Sequence, residues 1–212
     1  MDRTNIAAAV LLFAPAVVPA QTQLAKSGLF DKNSPHGNIS GLGCKACHAP
    51  HNGSVANGLG DAATGKLLLW SQRLSTQTFG TYGSLTLQSK PAEVGGVAPA
   101  ATDARLYSYL CMSCHDGVTT PEVMSANNVN AIASPTNPMG LENDHPVNMS
   151  YDPVKNPSLN SVSNVQKAGL VLFGSSNTVQ CATCHDPHNQ TNSPYLRIDN
   201  SGRSPLCLTC HL

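Results

Sequence analysis

All eight cysteines of this chain lie in four copies of one short pattern, Cys-X-X-Cys-His, at residues 44–48, 111–115, 181–185 and 207–211. In such a pattern two thiols can bond to a porphyrin while the next residue binds its iron, so the spacing is typical of c-type haem attachment. We predict four covalent haem c groups, numbered by motif order. Their attachment residues are Cys44, Cys47, Cys111, Cys114, Cys181, Cys184, Cys207 and Cys210, and their proximal iron ligands are His48, His115, His185 and His211.

The alternatives for these cysteines are zinc sites, redox dithiols and structural disulfides. A zinc site pairs one Cys-X-X-Cys with a second one, or with two histidines, at closer spacing than these copies have. Neither a dithiol nor a disulfide requires the histidine that follows every copy here. Covalent haem accounts for all four copies at once, and it predicts a function in electron transfer.

The histidine count matches the number of iron positions that four haems offer. The chain has eight histidines, and four of them belong to the motifs. The other four supply one sixth ligand for each iron, so we predict that every haem is bis-histidine, low-spin and six-coordinate. The predicted distal ligands are His36, His51, His145 and His188.

The composition is poor in residues that build a large packed core. Aromatic residues make up 5% of the chain, charged residues make up 11%, and there are 17 glycines and 15 prolines. Such a composition favours loops. We predict a mostly coiled chain with short helices and little regular secondary structure, wrapped around a stacked chain of haems. The net charge is zero and no basic patch is present, so nucleic acid is not an expected partner.

The first twenty residues have the pattern of a secretory signal peptide. Arg3 precedes an apolar stretch from Ile6 to Val18, and the segment ends in the small residue Ala20. The stretch is too short and too interrupted to span a bilayer, and the sequence has no other candidate. We therefore expect an exported protein without a membrane anchor, extracellular or on the cell surface, with the periplasm as the alternative.

The rest of the chain divides into two paired-haem modules. Residues 44–52 and 181–189 repeat one pattern, Cys-X-X-Cys-His-X-Pro-His-Asn. We predict a first module over residues 21–120 with haems 1 and 2, a proline-containing linker over 121–139, and a second module over 140–212 with haems 3 and 4.

Two motifs lie in sequences that favour a helix. Residues 102–103 can cap a helix over 104–115, and Ser204 with Pro205 fits the start of a short helix through the last motif. The apolar run over residues 169–174 predicts a short buried strand.

The spacing of the histidines restricts which iron each can bind. His51 follows His48 by three residues, and His188 follows His185 by three. Two imidazoles on opposite faces of one haem need Cα atoms about 13 Å apart, whereas three extended residues span at most about 11 Å. His51 therefore cannot complete haem 1, and His188 cannot complete haem 3.

We predict that each of these two histidines serves the other haem of its own module, so that His51 binds haem 2 and His188 binds haem 4. His36 and His145 then remain for haems 1 and 3. His36 lies near the start of the mature chain and could reach a haem of its own chain or of a neighbouring copy. The residues alone leave both options open.

Taken in order, the segments CHAPHNG, LLLW, FGTYGS, CMSCHDG, DHPV, CATCHDPHN and CLTCHL resemble the paired-CxxCH multihaem cytochromes. Within that group the chain is most similar to the tetrahaem, filament-forming outer-surface cytochromes of the OmcE type, from His36 to the C-terminus. The resemblance implies an extracellular homopolymer with a continuous haem stack. It also implies that His36 binds haem 3 of the adjacent subunit, which leaves His145 for haem 1.

Three functions compete for this sequence: a conductive extracellular filament, a discrete soluble carrier, and a multihaem reductase. We predict an electron-transfer protein and not an enzyme, because eight histidines leave no open iron position for a substrate. The expected partners are further copies of the chain, and redox proteins or extracellular electron acceptors.

Overall fold

The computed structural model describes residues 36–37, 39–51, 53, 68–92, 103–119, 140–192 and 194–212. Most of these residues lie in turns and loops, and the bounded elements are short. They are two 3-10 helices (Ile39–Gly41 and Gly43–Ala46), helices α1 (Leu106–His115), α2 (Val162–Lys167), α3 (Cys181–Cys184) and α4 (Pro205–Cys210), and strands β1 (Met149–Ser150) and β2 (Thr178–Val179), which pair antiparallel. The prediction of a mostly coiled chain with short helices is confirmed.

The predicted signal peptide over residues 1–20 and the predicted linker over 121–139 lie outside the described residues. The division into two modules stays a prediction. Within the described part of the chain, no helix has the length and apolar character needed to cross a membrane.

Helix α1 forms because one of its faces is apolar, and the second motif is its last turn. The Asp103 carboxylate accepts the backbone N–H of Arg105 at 2.9 Å just before the helix. The helix ends at His115 as predicted, although it begins two residues later than the sequence indicated. Its buried face repeats every three residues, with exposures of 0%, 1% and 0% for Leu106, Tyr109 and Met112.

Helix α4 also forms where the sequence predicted it, but it is capped by a different residue. Pro205 occupies the first turn, where its missing N–H costs nothing. Ser204 makes no side-chain cap hydrogen bond and has a φ of 57°. Asn200 takes over this role, since its Oδ1 accepts the backbone N–H of Leu206 at 3.1 Å. Asn200 lies six residues before that N–H, outside the usual spacing of an N-cap.

The predicted strand over residues 169–174 is wrong, although the prediction of its burial is right. Leu170, Leu172 and Phe173 are all buried. Among the described residues of this segment, only Phe173 forms a bridge, with Thr178. The chain turns back directly after Phe173, so the segment folds onto the residues that follow it.

Among the described residues, three small apolar clusters hold the coil together. The first packs α1 against Leu74, Phe79 and Leu141. The Tyr107 ring also stacks on Phe173, with ring centres 4.1 Å apart, so segments from both sides of the predicted linker are in contact. The second cluster supports α2 and α4, and its buried members are Tyr151, Val165, Leu170, Leu172 and Val179.

Candidate haem-binding site

Each Cys-X-X-Cys-His motif forms a single helical turn with its histidine at the exit. The first lies on the 3-10 helix Gly43–Ala46, the second ends α1, and the third and fourth lie in α3 and α4. Residues three apart share a helix face, so both cysteines of a motif lie on the same side. In three motifs the histidine N–H donates to the first cysteine's carbonyl: His48 to Cys44 at 2.8 Å, His185 to Cys181 at 3.1 Å and His211 to Cys207 at 2.9 Å.

Three of the motif histidines face a histidine from outside the motifs across a narrow gap. The ring centres are separated by nearly the same distance in each pair, although the angle between the ring planes varies from 17° to 74°. The separations are 6.2 Å for His48 and His188, 6.1 Å for His115 and His36, and 6.4 Å for His211 and His145.

This separation fits one iron atom between the two imidazoles. A bound imidazole nitrogen lies about 2.0–2.1 Å from a first-row metal. The centre of a five-membered ring with bonds of about 1.35 Å lies about 1.15 Å from each ring atom. Two imidazoles on opposite sides of one metal therefore have ring centres about 6.3–6.5 Å apart. The observed 6.1–6.4 Å is close to this value, so the residues present fit the axial ligands of haem.

The hydrogen bonds of the imidazoles give a second, independent test. A carbonyl oxygen only accepts, so an Nδ1 that contacts one must carry the hydrogen, and Nε2 keeps a lone pair for a metal. Such outer hydrogen bonds orient metal-binding histidines, whereas an ordinary aromatic pair at the same spacing does not require them. Nδ1 contacts a carbonyl in three cases: His48 to Leu68 at 2.8 Å, His145 to Pro146 at 3.0 Å and His185 to Pro194 at 3.1 Å.

The His36 side chain packs against Tyr195 of its own chain. Its ring lies against the Tyr195 ring, with centres 4.3 Å apart, and its backbone N–H donates to the Tyr195 hydroxyl at 3.3 Å. Burial, together with the nearby His115, His188 and His185, lowers the pKa of His36 to about 4. The ring is therefore neutral, as a metal ligand must be. Its Nδ1 is buried without a hydrogen-bond partner. In a site with no ligand, burying such an unpaired polar atom costs about 1–3 kcal/mol of stability.

Two of the motif thiols, Cys47 and Cys184, lack the low pKa of the attacking thiol in a redox dithiol, although a hydrogen bond with Cys111 lowers the pKa of Cys181. An active dithiol depends on a thiol whose pKa is lowered so that it ionises near neutral pH. Burial instead raises the pKa of Cys47 to about 12 and that of Cys184 to about 11. These two thiols stay protonated at neutral pH.

The second and third motifs are joined through the packing of α1 against α3. The Ser108 hydroxyl donates to Oε1 of the fully buried Gln180 at 2.6 Å. It also accepts the backbone N–H of Cys181 at 3.1 Å. Cys111 and Cys181 are hydrogen-bonded neighbours. The attachment points of haems 2 and 3 therefore lie side by side.

The first and second motifs are joined by Trp70. Its ring meets the His48 ring edge-on, with centres 5.6 Å apart, and its Nε1–H donates to Oγ of Ser113 at 3.3 Å. Cys47 and Cys114 also both pack on the third apolar cluster, which is formed by Ile39 and Ala46. No local sequence pattern indicated either of the links that bring the first three motifs together.

The imidazole neighbours differ from those that the sequence predicted. His188 was assigned to haem 4, but it lies opposite His48 of the first motif. His145 was assigned to haem 1, but it lies opposite His211 of the fourth motif. His36 was assigned to haem 3 of an adjacent subunit, and the structure places it opposite His115 of its own chain. None of these pairs joins a motif histidine to the histidine three residues later, in agreement with the limited span of three extended residues.

The structure also contains a buried charged pair next to His188 that was not predicted from the sequence. The Asp186 carboxylate lies 3.4 Å from Nδ1 of His188 and 3.3 Å from Nη1 of Arg197. The side chains of Asp186 and Arg197 are only 6% and 7% exposed. The two residues are eleven positions apart in a loop, so no local pattern indicated that they pair.

Residues 175–212 match the family model of the doubled CXXCH motif. This segment contains the third and fourth motifs together with His188. The match supports a multihaem c-type cytochrome, which binds haem covalently and transfers electrons, and c-type cytochromes with this motif are exported. It does not extend to the filament-forming type. No match was found among the curated proteins.

Proposed function

We propose that this chain is a tetrahaem c-type cytochrome whose function is electron transfer and in which every iron has two histidine ligands. The observation that carries the proposal is the set of three imidazole pairs with ring centres 6.1–6.4 Å apart. The ligand pairs are His48 with His188 for haem 1, His115 with His36 for haem 2, and His211 with His145 for haem 4. His185 and His51 are the two histidines left, and we assign them to haem 3.

In this assignment the two repeated segments exchange ligands. His48 and His51 serve haems 1 and 3, and His185 and His188 serve the same two haems. Each segment carries a proline between its histidines, Pro50 or Pro187, which restricts the backbone between the two ligands. Two short stretches of chain thus fix the positions of two neighbouring haems.

When bound, haem supplies the one-electron iron couple. The chain would supply two imidazoles to each iron, and carbonyl oxygens orient those of His48, His145 and His185 through Nδ1. A reductase needs an axial position that a substrate can occupy, and this assignment leaves none. The proposal therefore favours a carrier over an enzyme, with redox proteins or extracellular acceptors as partners.

The haem content and spin state of the purified protein test this function. We expect an intact mass that exceeds the polypeptide by four haems, together with low-spin ferric signals by electron paramagnetic resonance and no carbon monoxide binding after reduction. Four haems would be detected because all four motifs form the same turn. A mass with fewer haems, or a high-spin signal in the resting protein, would contradict the proposal.

We also propose that the protein works as an extracellular filament, with the discrete carrier as the alternative. The support is the resemblance of the ordered motif set to the filament-forming cytochromes, and the exposure of apolar side chains beside the last motif: Leu208 is 58% exposed and Leu212 is 78% exposed. Electron microscopy of the purified protein is expected to reveal filaments. A particle of one chain on gel filtration at micromolar concentration, without filaments, would favour the carrier.

For His36 we propose a ligand role within its own chain, in place of the cross-subunit role that the resemblance implies. The support is the packing of its ring on the Tyr195 ring and its position opposite His115. A filament built this way would be held by surface contacts between subunits and not by an iron–histidine bond.

A further inference from the structure

The two repeated segments differ at the residue directly after the motif histidine. In the first segment this residue is Ala49, and in the second it is Asp186. Because the segments exchange ligands in the proposed function, this difference places a carboxylate next to a ligand of haem 1. It places only a methyl group at the equivalent position for haem 3.

Contacts with three other residues hold Asp186 in the site. Its Oδ1 accepts the backbone N–H of His188 at 3.0 Å and lies 3.4 Å from Nδ1 of the same residue, slightly beyond the usual hydrogen-bond range of about 2.7–3.2 Å. Its Oδ2 lies 3.3 Å from Nη1 of Arg197, and its backbone N–H donates to the Tyr195 carbonyl at 2.8 Å. The carboxylate is therefore fixed in position against the His188 ring.

The carboxylate of Asp186 is paired with a buried cation, because Nη1 of Arg197 lies 3.3 Å from its Oδ2 and both side chains are almost fully buried. Arg197 is in turn held by its Nε–H, which donates to the Ala182 carbonyl at 2.8 Å. The pair is buried, and a buried charge must have such a partner.

We propose that Asp186 is a positioning residue that acts through His188 to lower the reduction potential of haem 1 relative to haem 3. The inference rests on the proposed function. An anionic acceptor at Nδ1 makes the imidazole a stronger donor to the metal, which favours the ferric state. Arg197 offsets the charge of Asp186 at longer range, so the effect is concentrated on the imidazole that Asp186 touches. Ala49 has no group that can do the same for His51.

Asp116 provides a matched control. It directly follows His115 just as Asp186 follows His185, and it is also buried, at 1% exposure. Its Oδ1 accepts the backbone N–H groups of Val118 and Thr119, at 2.9 Å and 2.8 Å. Asp116→Asn therefore removes a buried carboxylate at the same motif position, while its hydrogen bonds go to the following loop.

The test is spectroelectrochemical titration of the holoprotein with Asp186→Asn, Asp186→Glu and Asp116→Asn. We expect Asp186→Asn to keep four low-spin haems and to raise one of the four midpoint potentials by about 59 mV. For a one-electron couple this shift is a tenfold change in the equilibrium constant of reduction. Asp186→Glu keeps the negative charge, so its midpoint potential for the affected haem should be close to that of the unmodified protein. Asp116→Asn should leave the midpoint potential of that haem unchanged. If Asp186→Asn loses haem, Asp186→Ser provides the neutral variant.

Unchanged potentials in a neutral variant that retains four low-spin haems would overturn the tuning role and leave the proposed function intact. An equal shift in Asp116→Asn would also overturn it, because the effect would then not depend on contact with His188. Fewer than four haems, or an open iron, in the unmodified protein would overturn the proposed function itself. The two failures are therefore distinguishable.

Discussion

Replacing His188 with alanine should create one carbon monoxide site per chain, at haem 1, while the protein keeps all its haems. The haem stays attached because Cys44, Cys47 and His48 are unchanged, and only the imidazole opposite His48, 6.2 Å away between ring centres, is removed. The reduced variant should bind carbon monoxide, and its ferric form should gain a high-spin signal. His145→Ala is the matched control, which should open one site at haem 4.

The identity of the opened haem can be settled in a background that lacks haem 1. Cys44→Ala with Cys47→Ala removes both attachment points of that haem. In this background His188→Ala should add no carbon monoxide site, because its iron is absent, whereas His145→Ala should still add one. A new site from His188→Ala in the three-haem protein would mean that His188 binds another iron, as the sequence alone predicted for haem 4.

Replacing His36 with alanine should open haem 2 in an isolated single chain. His36 lies opposite His115 in its own chain and packs on Tyr195, so its removal leaves one axial position vacant in every molecule, assembled or not. Carbon monoxide binding per chain should rise from none to one. Tyr195→Phe, which keeps the ring and loses the hydroxyl at 3.3 Å, should leave haem 2 closed.

The cross-subunit alternative makes the opposite prediction for the unmodified protein. If His36 bound a haem of the next subunit, dilution to single chains would expose an open iron without any substitution. Carbon monoxide binding by dilute unmodified protein, lost again on concentration, would therefore contradict the assignment of His36 to its own chain. Electron microscopy of His36→Ala adds a second readout, since filaments held by surface contacts should persist.

The helices that end at the second and fourth motifs could be predicted from the sequence because each one is local, whereas haem attachment itself stays a prediction. Two cysteines three residues apart and the next histidine fit one helical turn, and the turn forms at all four positions. The poverty in aromatic residues also predicted a coiled chain correctly. The helical turns depend on neighbours in sequence and the coiled character depends on composition, so neither prediction required knowledge of the tertiary contacts.

The pairing of the histidines could not be predicted because it depends on long-range packing. The reach of three residues excluded one partner for His188, but it did not choose among the others. The choice follows from contacts such as that between Ser108 and Gln180, which bring segments 72 residues apart together. Assigning His51 and His188 to the other haem of their own module was a preference for short loops, whereas the structure places His188 opposite His48 of the other repeated segment.

The exchange of ligands between the two repeated segments has a consequence for the order in which the protein matures. The two imidazoles assigned to haem 1 come from residues 48 and 188, so this site cannot close until nearly the whole chain has been made. Synthesis proceeds from the N-terminus at about 5–20 residues per second, so the first motif is available seconds before its partner arrives. During that interval a newly attached group would have one axial side exposed, and export and attachment have to protect it until the second half of the chain folds back.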